Sequence, residues 1–125
     1  MAKYVDGFVL VIPKNKISDY KKMASDGAKT WKKYGALEYY ECIGDDLNPK
    51  GIDGIKPLGF TKMIKAKSDE SVWFSFIVYK SKKHRDEVNA KVMAEYSKNK
   101  KKFKEPMPFD MKRLAHGGFD VVIEG

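Results

Sequence analysis

The stretch VWFSFIVY, from Val72 to Tyr79, decides the fold because it is the clearest central β-strand in the chain. Aromatic and β-branched residues fill it, and polar residues bound it on both sides. Alternate residues of a strand lie on opposite faces, and here both faces are apolar except at Ser75. A strand with one solvated face would be polar on that side, so this strand predicts a sheet that is covered on both faces.

The segment from Tyr4 to Ile12 predicts a second strand that is apolar on both faces and is ended by Pro13. Gly7 interrupts this strand near its start. Because a glycine inside a strand marks a bulge or the close approach of another backbone, we expect one of these features at Gly7.

Two amphipathic helices are predicted from apolar residues at three- and four-residue steps. The first lies between Asn15, its expected N-cap, and Gly35, its expected stop. Gly27 inside this helix costs about 1 kcal/mol relative to alanine, which indicates that another group packs closely on it. The second begins after Ser81 as its N-cap. Its expected inward side chains are Val88, Val92, Met93 and Tyr96.

Three further strands and one long loop complete the predicted elements. Ala36–Ile43 predicts a strand by alternation, and Phe60–Lys67 predicts an edge or hairpin strand. Phe119–Glu124 predicts the last strand, which Gly117 and Gly118 would introduce. Residues 44–59 are rich in Gly, Asp, Pro and Asn, and they predict a loop that acts as a lid or is simply mobile.

The order of these elements, βαβ(β)βαβ, predicts an α+β fold of the ferredoxin-like class, an antiparallel sheet with two helices on one face. In this topology the first strand and the strand from Val72 to Tyr79 lie in the middle, which agrees with their two apolar faces. The face without helices would expose a larger apolar patch than monomers usually tolerate. We therefore expect a homodimer packed sheet to sheet through this open face, a dimeric α/β barrel, with residues 1–125 forming a single domain.

Composition predicts a soluble cytoplasmic protein. The 125 residues are 42% hydrophobic and 34% charged, an ordinary balance for a globular domain. The longest apolar run, Phe8–Ile12, is far shorter than the roughly 20 residues of a membrane span, and the N-terminus has no export signal. The single cysteine, Cys42, cannot form an internal disulfide, and on a strand it is expected to be a small buried hydrophobe.

The net charge of +8 lies on the predicted helices rather than on the strands. Residues 14–33 carry seven lysines against two aspartates, and residues 80–104 carry ten basic residues against three acidic ones. RNA-recognition motifs stack bases on the exposed face of their sheet. Because these lysines are predicted to lie on helices behind the sheet, they would not lie beside bases stacked there. We therefore do not expect nucleic acid as a partner. The run Lys98–Lys104, in a segment 97–109 expected to be irregular or a short helical turn, is expected to be solvated.

The residue inventory predicts neither a metal nor a cofactor. Two histidines and one cysteine cannot form a Cys/His zinc site within one chain. Asp45 and Asp46 could bind a hard cation, but adjacent carboxylates in such a loop are more often solvated turn residues. The glycines of residues 51–59 lack the lysine and the strand-to-helix setting of a phosphate-binding loop.

Short motifs from Tyr4 to nearly the end of the chain carry a family resemblance. They are YVDGFV at 4–9, GAL at 35–37, EC at 41–42, VNAKVM at 88–93, MPFD at 107–110, KR at 112–113 and GGF at 117–119. Together they resemble the YbaA-like family of short bacterial proteins, labelled as a domain of unknown function. The resemblance implies a ferredoxin-like dimeric α/β barrel and no established reaction, although the wider superfamily includes cofactor-free monooxygenases and haem-degrading enzymes. This chain has His116 where the family usually has tyrosine.

Aromatic residues give the best indication of a site. Trp31, Tyr40 and Trp73 lie on elements expected to flank the space between sheet and helices, where aromatic walls would suit a small organic ligand. The same side chains would equally well fill a core. These three residues, together with Arg113, are the candidate ligand contacts.

His116 and Tyr40 are the candidate catalytic residues, because either could move a proton if the protein is an enzyme. A histidine beside the last strand suits a general base near neutral pH, and the plainer alternative is a surface histidine. The candidate polar contacts are Glu41, Asp6 and Arg113.

These observations predict a homodimer that binds a small organic ligand, and the superfamily suggests a cofactor-free monooxygenase-like activity. Two alternatives stay open. One is RNA binding through the basic helices and the Lys98–Lys104 run, since residues 74–79 approximate the tail of an RNA-recognition motif. The other is a structural or regulatory dimer with a filled core and no pocket.

Overall fold

Four strands, two long helices and a one-turn helix make up the described part of the chain, residues 2–99 and 107–125 of a computed structural model. The strands are β1 (Tyr4–Pro13), β2 (Glu38–Ile43), β3 (Glu70–Tyr79) and β4 (Ala115–Asp120). The helices are α1 (Ile17–Lys33), the single turn α2 (Phe60–Met63) and α3 (Lys82–Lys98), with 3-10 turns at Lys14–Lys16 and Met111–Arg113. Most of the Lys98–Lys104 run, and most of the segment predicted to be irregular, lies outside the described residues.

The sheet has the order β2-β3-β1-β4, and every neighbouring pair is antiparallel. The central strands β1 and β3 pair without interruption from Tyr4 opposite Tyr79 to Pro13 opposite Glu70. This arrangement confirms the ferredoxin-like α+β class. It also confirms that the two strands with apolar side chains on both faces lie in the middle of the sheet.

Helices α1 and α3 cover one face of the sheet, which we call the helix face. On it, Tyr79 of β3 is fully buried in a cluster with Val88 of α3, and Trp73 of β3 is buried in a cluster with Tyr20 of α1. The opposite face, called the open face, carries neither long helix. On the open face Phe74 is 44% exposed, so the single chain leaves part of the central strand uncovered.

Helix α1 begins later than the sequence predicts. A 3-10 turn follows Pro13 and contains Asn15, and no side chain caps α1 at its start at Ile17. The prediction of Asn15 as N-cap was therefore wrong, because the turn takes up the residues expected to begin the helix. Gly27 is buried, and a Cβ built on it would lie 3.1 Å from the Tyr39 hydroxyl, which confirms the predicted close contact on this glycine.

Helix α3 begins as predicted, since the Ser81 hydroxyl accepts a hydrogen bond from the backbone N–H of His84 at 3.1 Å. Val88 and Val92 are buried, whereas Met93 is 51% exposed. Consecutive helical residues are rotated by about 100° around the axis. The inward prediction for Met93 was wrong because Val92 already takes the position that faces the sheet.

The strand predicted over Phe60–Lys67 does not form. Its first residues make the single helical turn α2, and the chain then turns at Lys65, whose φ is 55°. The apolar residues Phe60, Met63 and Ile64 also fit a helical period, and a four-residue alternation is too short to separate the two structures. The predicted strand was therefore wrong, and the sheet has four strands rather than five.

Strand β4 lies earlier in the chain than predicted, at Ala115–Asp120 instead of Phe119–Glu124. Of its two glycines, only Gly118 lies where another side chain, the Tyr4 ring, occupies the space that a side chain would need. Gly117 pairs with Gly7 of β1, and the Phe119 ring lies 3.6 Å from a Cβ built on Gly7. The register of β1 continues through Gly7 without a bulge, and no backbone atom from elsewhere in the described chain lies within 4 Å of the built Cβ. The prediction of a bulge or an approaching backbone at Gly7 was therefore wrong, because the neighbour is a side chain at ordinary contact distance.

Replacement of Gly118 by alanine should destabilise the protein by about 1–3 kcal/mol, the usual cost of overpacking. A Cβ built on Gly118 would lie 2.1 Å from the Tyr4 hydroxyl and 2.7 Å from its ring. Tyr4 is buried and has little room to move. Urea denaturation of Gly118→Ala measures the loss in the free energy of unfolding.

The matched control is Gly117→Ala in the same strand, where the nearest side-chain atom is 3.7 Å from the built Cβ. It should stay within about 1 kcal/mol of the parent protein. Equal stability for Gly118→Ala and the parent would contradict the packing of Tyr4 against β4.

Candidate functional site

A cleft of about 320 Å³ lies between helix α1 and the edge strand β2 on the helix face. Small residues of α1 leave the space, and aromatic and polar residues of the sheet form the floor. The lining residues are Lys21, Ala24, Ser25 and Ala28 of α1, Tyr39, Glu41 and Ile43 of β2, and Trp73 of β3. We call this space the α1/β2 cleft.

The Glu41 carboxylate accepts three hydroxyl hydrogen bonds at the floor of the α1/β2 cleft. Tyr20 donates to Oε2 at 2.8 Å, and Tyr39 donates to Oε1 at 2.9 Å. Ser75 donates a third hydrogen bond to Oε2. We call these four side chains the Glu41 cluster. They hold a partly buried carboxylate at a fixed position, which is how binding sites orient a polar group.

Strand register and one glycine bring the Glu41 cluster together. Glu41 and Ser75 are direct partners across the β2–β3 pair, on the helix face. Ser75 is the polar exception in the central strand and is only 4% exposed. Tyr39 reaches the carboxylate beneath α1 at Gly27, where a Cβ would lie 3.1 Å from its hydroxyl. Gly27 therefore makes room for a member of the cluster.

Both phenols of the Glu41 cluster stay protonated near neutral pH. Burial, followed by the negative charge of Glu41, raises the pKa of Tyr20 well above its ordinary value. The same two causes raise the pKa of Tyr39. A protonated phenol can donate a hydrogen bond, so both tyrosines act as donors to the carboxylate oxygens.

A second polar group on the helix face is fully paired and ties α3 to the sheet. Arg85 of α3 bonds Asp6 of β1 at 2.7 Å and lies over the Tyr4 ring, 4.9 Å from its centroid. The Asn89 side chain of the same helix accepts hydrogen bonds from Tyr79 at 3.2 Å and from a tryptophan of α1 at 3.0 Å. Asp6, a candidate polar contact, therefore has a partner within the chain.

The structure places the two candidate tryptophans on the helix face. Trp73 lines the α1/β2 cleft, is 4% exposed, and donates its indole N–H to the Ser71 hydroxyl at 2.9 Å. Trp31 packs against Tyr39 and donates to Asn89 at 3.0 Å. Trp73 thus lies at the cleft, while Trp31 is part of the packing between the helices and the sheet.

The two candidate catalytic residues lie on opposite faces of the sheet. Tyr40 is on the open face, 48% exposed, with its ring 5.1 Å from that of Phe76. His116 is on the helix side of β4 and stacks on Phe8 at 5.7 Å. The sheet separates them, so the described chain does not bring them together, and neither lines the α1/β2 cleft.

Arg113 and Cys42 are also outside the α1/β2 cleft. Arg113 donates to the Glu70 carboxylate and, at 2.9 Å, to the Lys65 carbonyl, so it fastens the chain that precedes β3. The hydrogen bond from Arg113 lowers the pKa of Glu70. Cys42 is exposed on the open face of β2. The prediction of a buried Cys42 was wrong because β2 is an edge strand and its open side has no cover.

The described residues contain no group of three His, Cys, Asp or Glu side chains that could hold a metal ion. Asp45 and Asp46, the carboxylates considered for a cation, are both exposed. Within residues 2–99 and 107–125, no helix has the length and apolar character needed to cross a membrane.

Sequence reasoning named Glu41 as a polar contact but missed its partners. Ser75 carried a signal, since it is the only polar residue in the apolar run of the central strand. Tyr20 carried none, because a tyrosine among the inward positions of an amphipathic helix is a typical core residue. Only the β2–β3 register and the helix position bring these groups to one carboxylate.

Comparisons with known proteins match nearly the whole chain. A family model described as "Protein of unknown function (DUF1428)" matches residues 3–111. The chain is 43% identical over 122 residues to "Uncharacterized protein YbaA" of Escherichia coli (strain K12), and the match covers 98% of each protein. The YbaA protein of Shigella flexneri matches with the same identity and coverage. The resemblance to YbaA-like proteins is thereby confirmed.

A solved structure has the same fold. It is described as a dimeric ferredoxin-like protein from an uncultured marine organism, and it matches over 100% of both chains with a TM-score of 0.66. The sequence identity is 12%, so this likeness concerns the fold and not the function.

Alkaline pH should destabilise the protein in part through the two phenols of the Glu41 cluster. A tyrosine in an unfolded chain titrates near about pH 10. Because folding raises the pKa of Tyr20 and Tyr39, their contribution is fully present below that pH and is lost as the pH rises above it. The free energy of unfolding should fall by up to about 1.4 kcal/mol per pH unit for each phenol.

Urea denaturation at several pH values between about 9 and 11.5 measures this slope. Tyr20→Phe and Tyr39→Phe should each flatten it, while Tyr40→Phe, which removes an exposed phenol from the other face, is the control. Indistinguishable slopes for all the variants and the parent would contradict the assignment of the alkaline loss to the Glu41 cluster.

Proposed function

The chain belongs to the DUF1428 family of proteins of unknown function, and from this premise we propose that it is a cytoplasmic, single-domain homodimer that binds a small organic ligand. The ligand site is the α1/β2 cleft. The observation that carries this proposal is the Glu41 carboxylate, which three hydroxyl groups hold in position at the floor of the cleft.

The composition of the α1/β2 cleft supports ligand binding. A site for a small molecule combines apolar and aromatic walls with a few polar groups at fixed positions. Here Ala24, Ala28 and Trp73 supply apolar surface, and Glu41 supplies the fixed polar group. The volume of about 320 Å³ lies at the lower end of the usual range for ligand pockets, roughly 300–1,000 Å³. This size suits a ligand with a single ring.

Monooxygenase-like oxidation, suggested by the wider superfamily, stays a prediction. In this hypothesis, His116 or Tyr40 would transfer a proton beside a bound substrate. Because these residues lie on opposite faces of the sheet and outside the α1/β2 cleft, they do not add to the support for binding. In this cleft Glu41 is the group that could accept a proton from a ligand.

The open face supports a sheet-to-sheet homodimer. Phe74 and Tyr40 are 44% and 48% exposed there, and Phe119 at the other edge is 61% exposed. Rings continue from Tyr40 through Phe76 to Phe74 with centroid separations of 5.1 and 5.7 Å. A contiguous aromatic surface of this kind marks an interaction site more often than a solvated face.

The segment after β2 extends this apolar surface beyond the sheet. Phe60 of α2 lies 6.5 Å from the Phe74 ring, and Ile52, Ile55 and Leu58 are 70%, 74% and 64% exposed. A four-stranded face of six-residue strands covers roughly 400 Å², about half of what one partner contributes to a standard interface. The apolar segment could therefore supply much of the remaining area. This would account for the exposed isoleucines and leucine in an otherwise polar loop.

The charge of the open face favours a second copy of this chain over nucleic acid. Among the outward positions of the described strands, only Glu38 and Glu70 are charged, and Glu70 is paired with Arg113. A face without basic residues cannot neutralise phosphates, whereas it can meet its own copy without like-charge repulsion. The RNA-binding alternative therefore gains no support from this face.

Ligand binding can be tested by screening small aromatic and aliphatic fragments with amide chemical shifts as the readout. Ligands of the α1/β2 cleft should shift residues of β2 and α1 with Kd values of about millimolar or tighter. Ala28→Phe, which fills the cleft, should weaken these ligands at least about tenfold. Ala94→Phe on the exposed surface of α3 is the matched control. No cleft ligand in the whole screen, or hits unaffected by Ala28→Phe, would refute the ligand site.

The dimer can be tested by sedimentation equilibrium. The parent chain should be a dimer at micromolar concentration, and Phe74→Glu should weaken association by roughly a hundredfold, because it would bury an unpaired charge at the interface. Since Phe74 is already part-exposed in the single chain, the fold should survive. Lys29→Glu on the exposed surface of α1 makes a similar charge change away from the open face and should remain dimeric. A monomeric parent chain would overturn the homodimer.

A further inference from the structure

The Glu41 carboxylate has a negative charge with no cation beside it. In residues 2–99 and 107–125, no lysine, arginine or histidine nitrogen lies within 4.0 Å of its oxygens. The other two partly buried carboxylates described above, Asp6 and Glu70, each pair with an arginine. Partly buried charges are usually paired, so Glu41 differs in this respect from Asp6 and Glu70.

The hydrogen bonds of Glu41 leave one acceptor position free. A carboxylate offers about four lone-pair positions. Tyr20 and Ser75 use the two on Oε2, and Tyr39 uses one on Oε1. An ionised carboxylate has no proton to donate, so each of these partners donates to it. The free position on Oε1 therefore requires a donor from outside the cluster.

The aromatic walls suit a positively charged donor. Trp73 and Tyr39 both line the α1/β2 cleft beside Glu41. The face of an aromatic ring attracts a cation, most strongly for tryptophan, and this attraction increases when the cation is partly removed from water. A carboxylate together with aromatic rings is a suitable environment for an ammonium group, whereas a bound carboxylate would meet the charge of Glu41 at close range.

Among the described residues, Lys21 is the one cationic residue that lines the cleft, and it favours the opposite ligand charge. Its side chain is on the exposed surface of α1 and forms none of the described ion pairs. An exposed, flexible ammonium contributes little to binding, on the order of 0–1 kcal/mol for an ion pair. Glu41 is held rigidly at the floor of the cleft, so its negative charge decides which ligand charge the cleft favours.

We infer that the ligand of the α1/β2 cleft is an organic cation, an amine or related ammonium compound with an apolar body of about one ring. This inference rests on the proposed ligand site and adds the chemical class. The ammonium group would donate to Oε1 of Glu41, and the apolar body would lie along Trp73 and the alanines of α1.

Three probes of matched shape test the charge preference at neutral pH and low salt. They are 2-phenylethylamine, the neutral 2-phenylethanol and the anionic 3-phenylpropanoate. The amine should bind at least about tenfold more tightly than either other probe, since it alone adds a positive charge to its hydrogen bond with Glu41. Amide chemical shifts of β2 and α1 report both the site and the affinity.

Glu41→Gln keeps the shape of the side chain and removes its charge. It should abolish the preference for the amine, while Lys21→Gln, the matched control on the rim of the cleft, should preserve it. Circular dichroism and thermal unfolding show whether Glu41→Gln is folded. Should it prove unfolded, Tyr39→Phe serves instead, because it keeps the charge and should keep the preference.

The outcomes separate this inference from the proposed function. Equal or tighter binding of 2-phenylethanol or 3-phenylpropanoate in the cleft would overturn the cation class and leave the ligand site standing. An amine preference that survives in folded Glu41→Gln, or is lost in folded Tyr39→Phe, would also overturn the inference. Failure of fragments of every charge to bind would overturn the ligand site itself, and the cation class with it.

Discussion

The pairing of β1 with β3 is the constraint on which the rest of the structure depends. The two strands match along their whole length, from Tyr4 opposite Tyr79 to Pro13 opposite Glu70, and both are apolar on each face. Their pairing creates a two-sided apolar surface that water would otherwise meet on both sides. The two long helices can cover only one side, because each right-handed βα connection returns the chain to the same face. The open face, with its exposed aromatic rings, follows directly from this pairing.

The helix face is not uniformly apolar, and its polar groups are arranged in two ways. Asp6 is neutralised by Arg85, which ties α3 to β1. Glu41 is instead surrounded by hydroxyl groups that solvate the carboxylate without neutralising it. The first arrangement is complete within the chain and suits a structural role. The second keeps a negative charge, and it does so beside a cleft, which is a feature expected of a binding site rather than of a core.

Sequence patterns correctly predicted the strands and helices that have a clear local periodicity. The central strands and both long helices were found because each spans several periods, and the glycine at 27 was correctly associated with a close contact. The segment Phe60–Lys67 was too short for its period to be defined, and the last strand was displaced because Gly117 and Gly118 resemble a turn. In the structure both lie inside β4, where the Tyr4 ring occupies the space beside Gly118.

The candidate site could be predicted only in part, because the face on which a strand residue lies depends on its pairing partners. Glu41 was recognised as a polar contact, but its register opposite Ser75 is set by the β2–β3 pairing. The same register turns Tyr40 to the open face, away from the cleft for which its aromatic character had suggested it. One-dimensional alternation defines two sets of residues on a strand, and only the three-dimensional arrangement decides which set the helices cover.

The two faces of the sheet allow ligand binding and dimer formation to be independent. The α1/β2 cleft opens between a helix and the edge strand on the helix face, whereas the proposed dimer contact uses Phe74 and its neighbours on the other face. Adjacent residues of β2 lie on opposite faces, because Glu41 lies at the cleft whereas Tyr40 and Cys42 lie on the open face. Occupation of the open face by a second copy would therefore leave the cleft accessible. Any coupling between ligand binding and dimer formation would have to pass through the backbone of β2, because residues that face the cleft alternate there with residues of the open face.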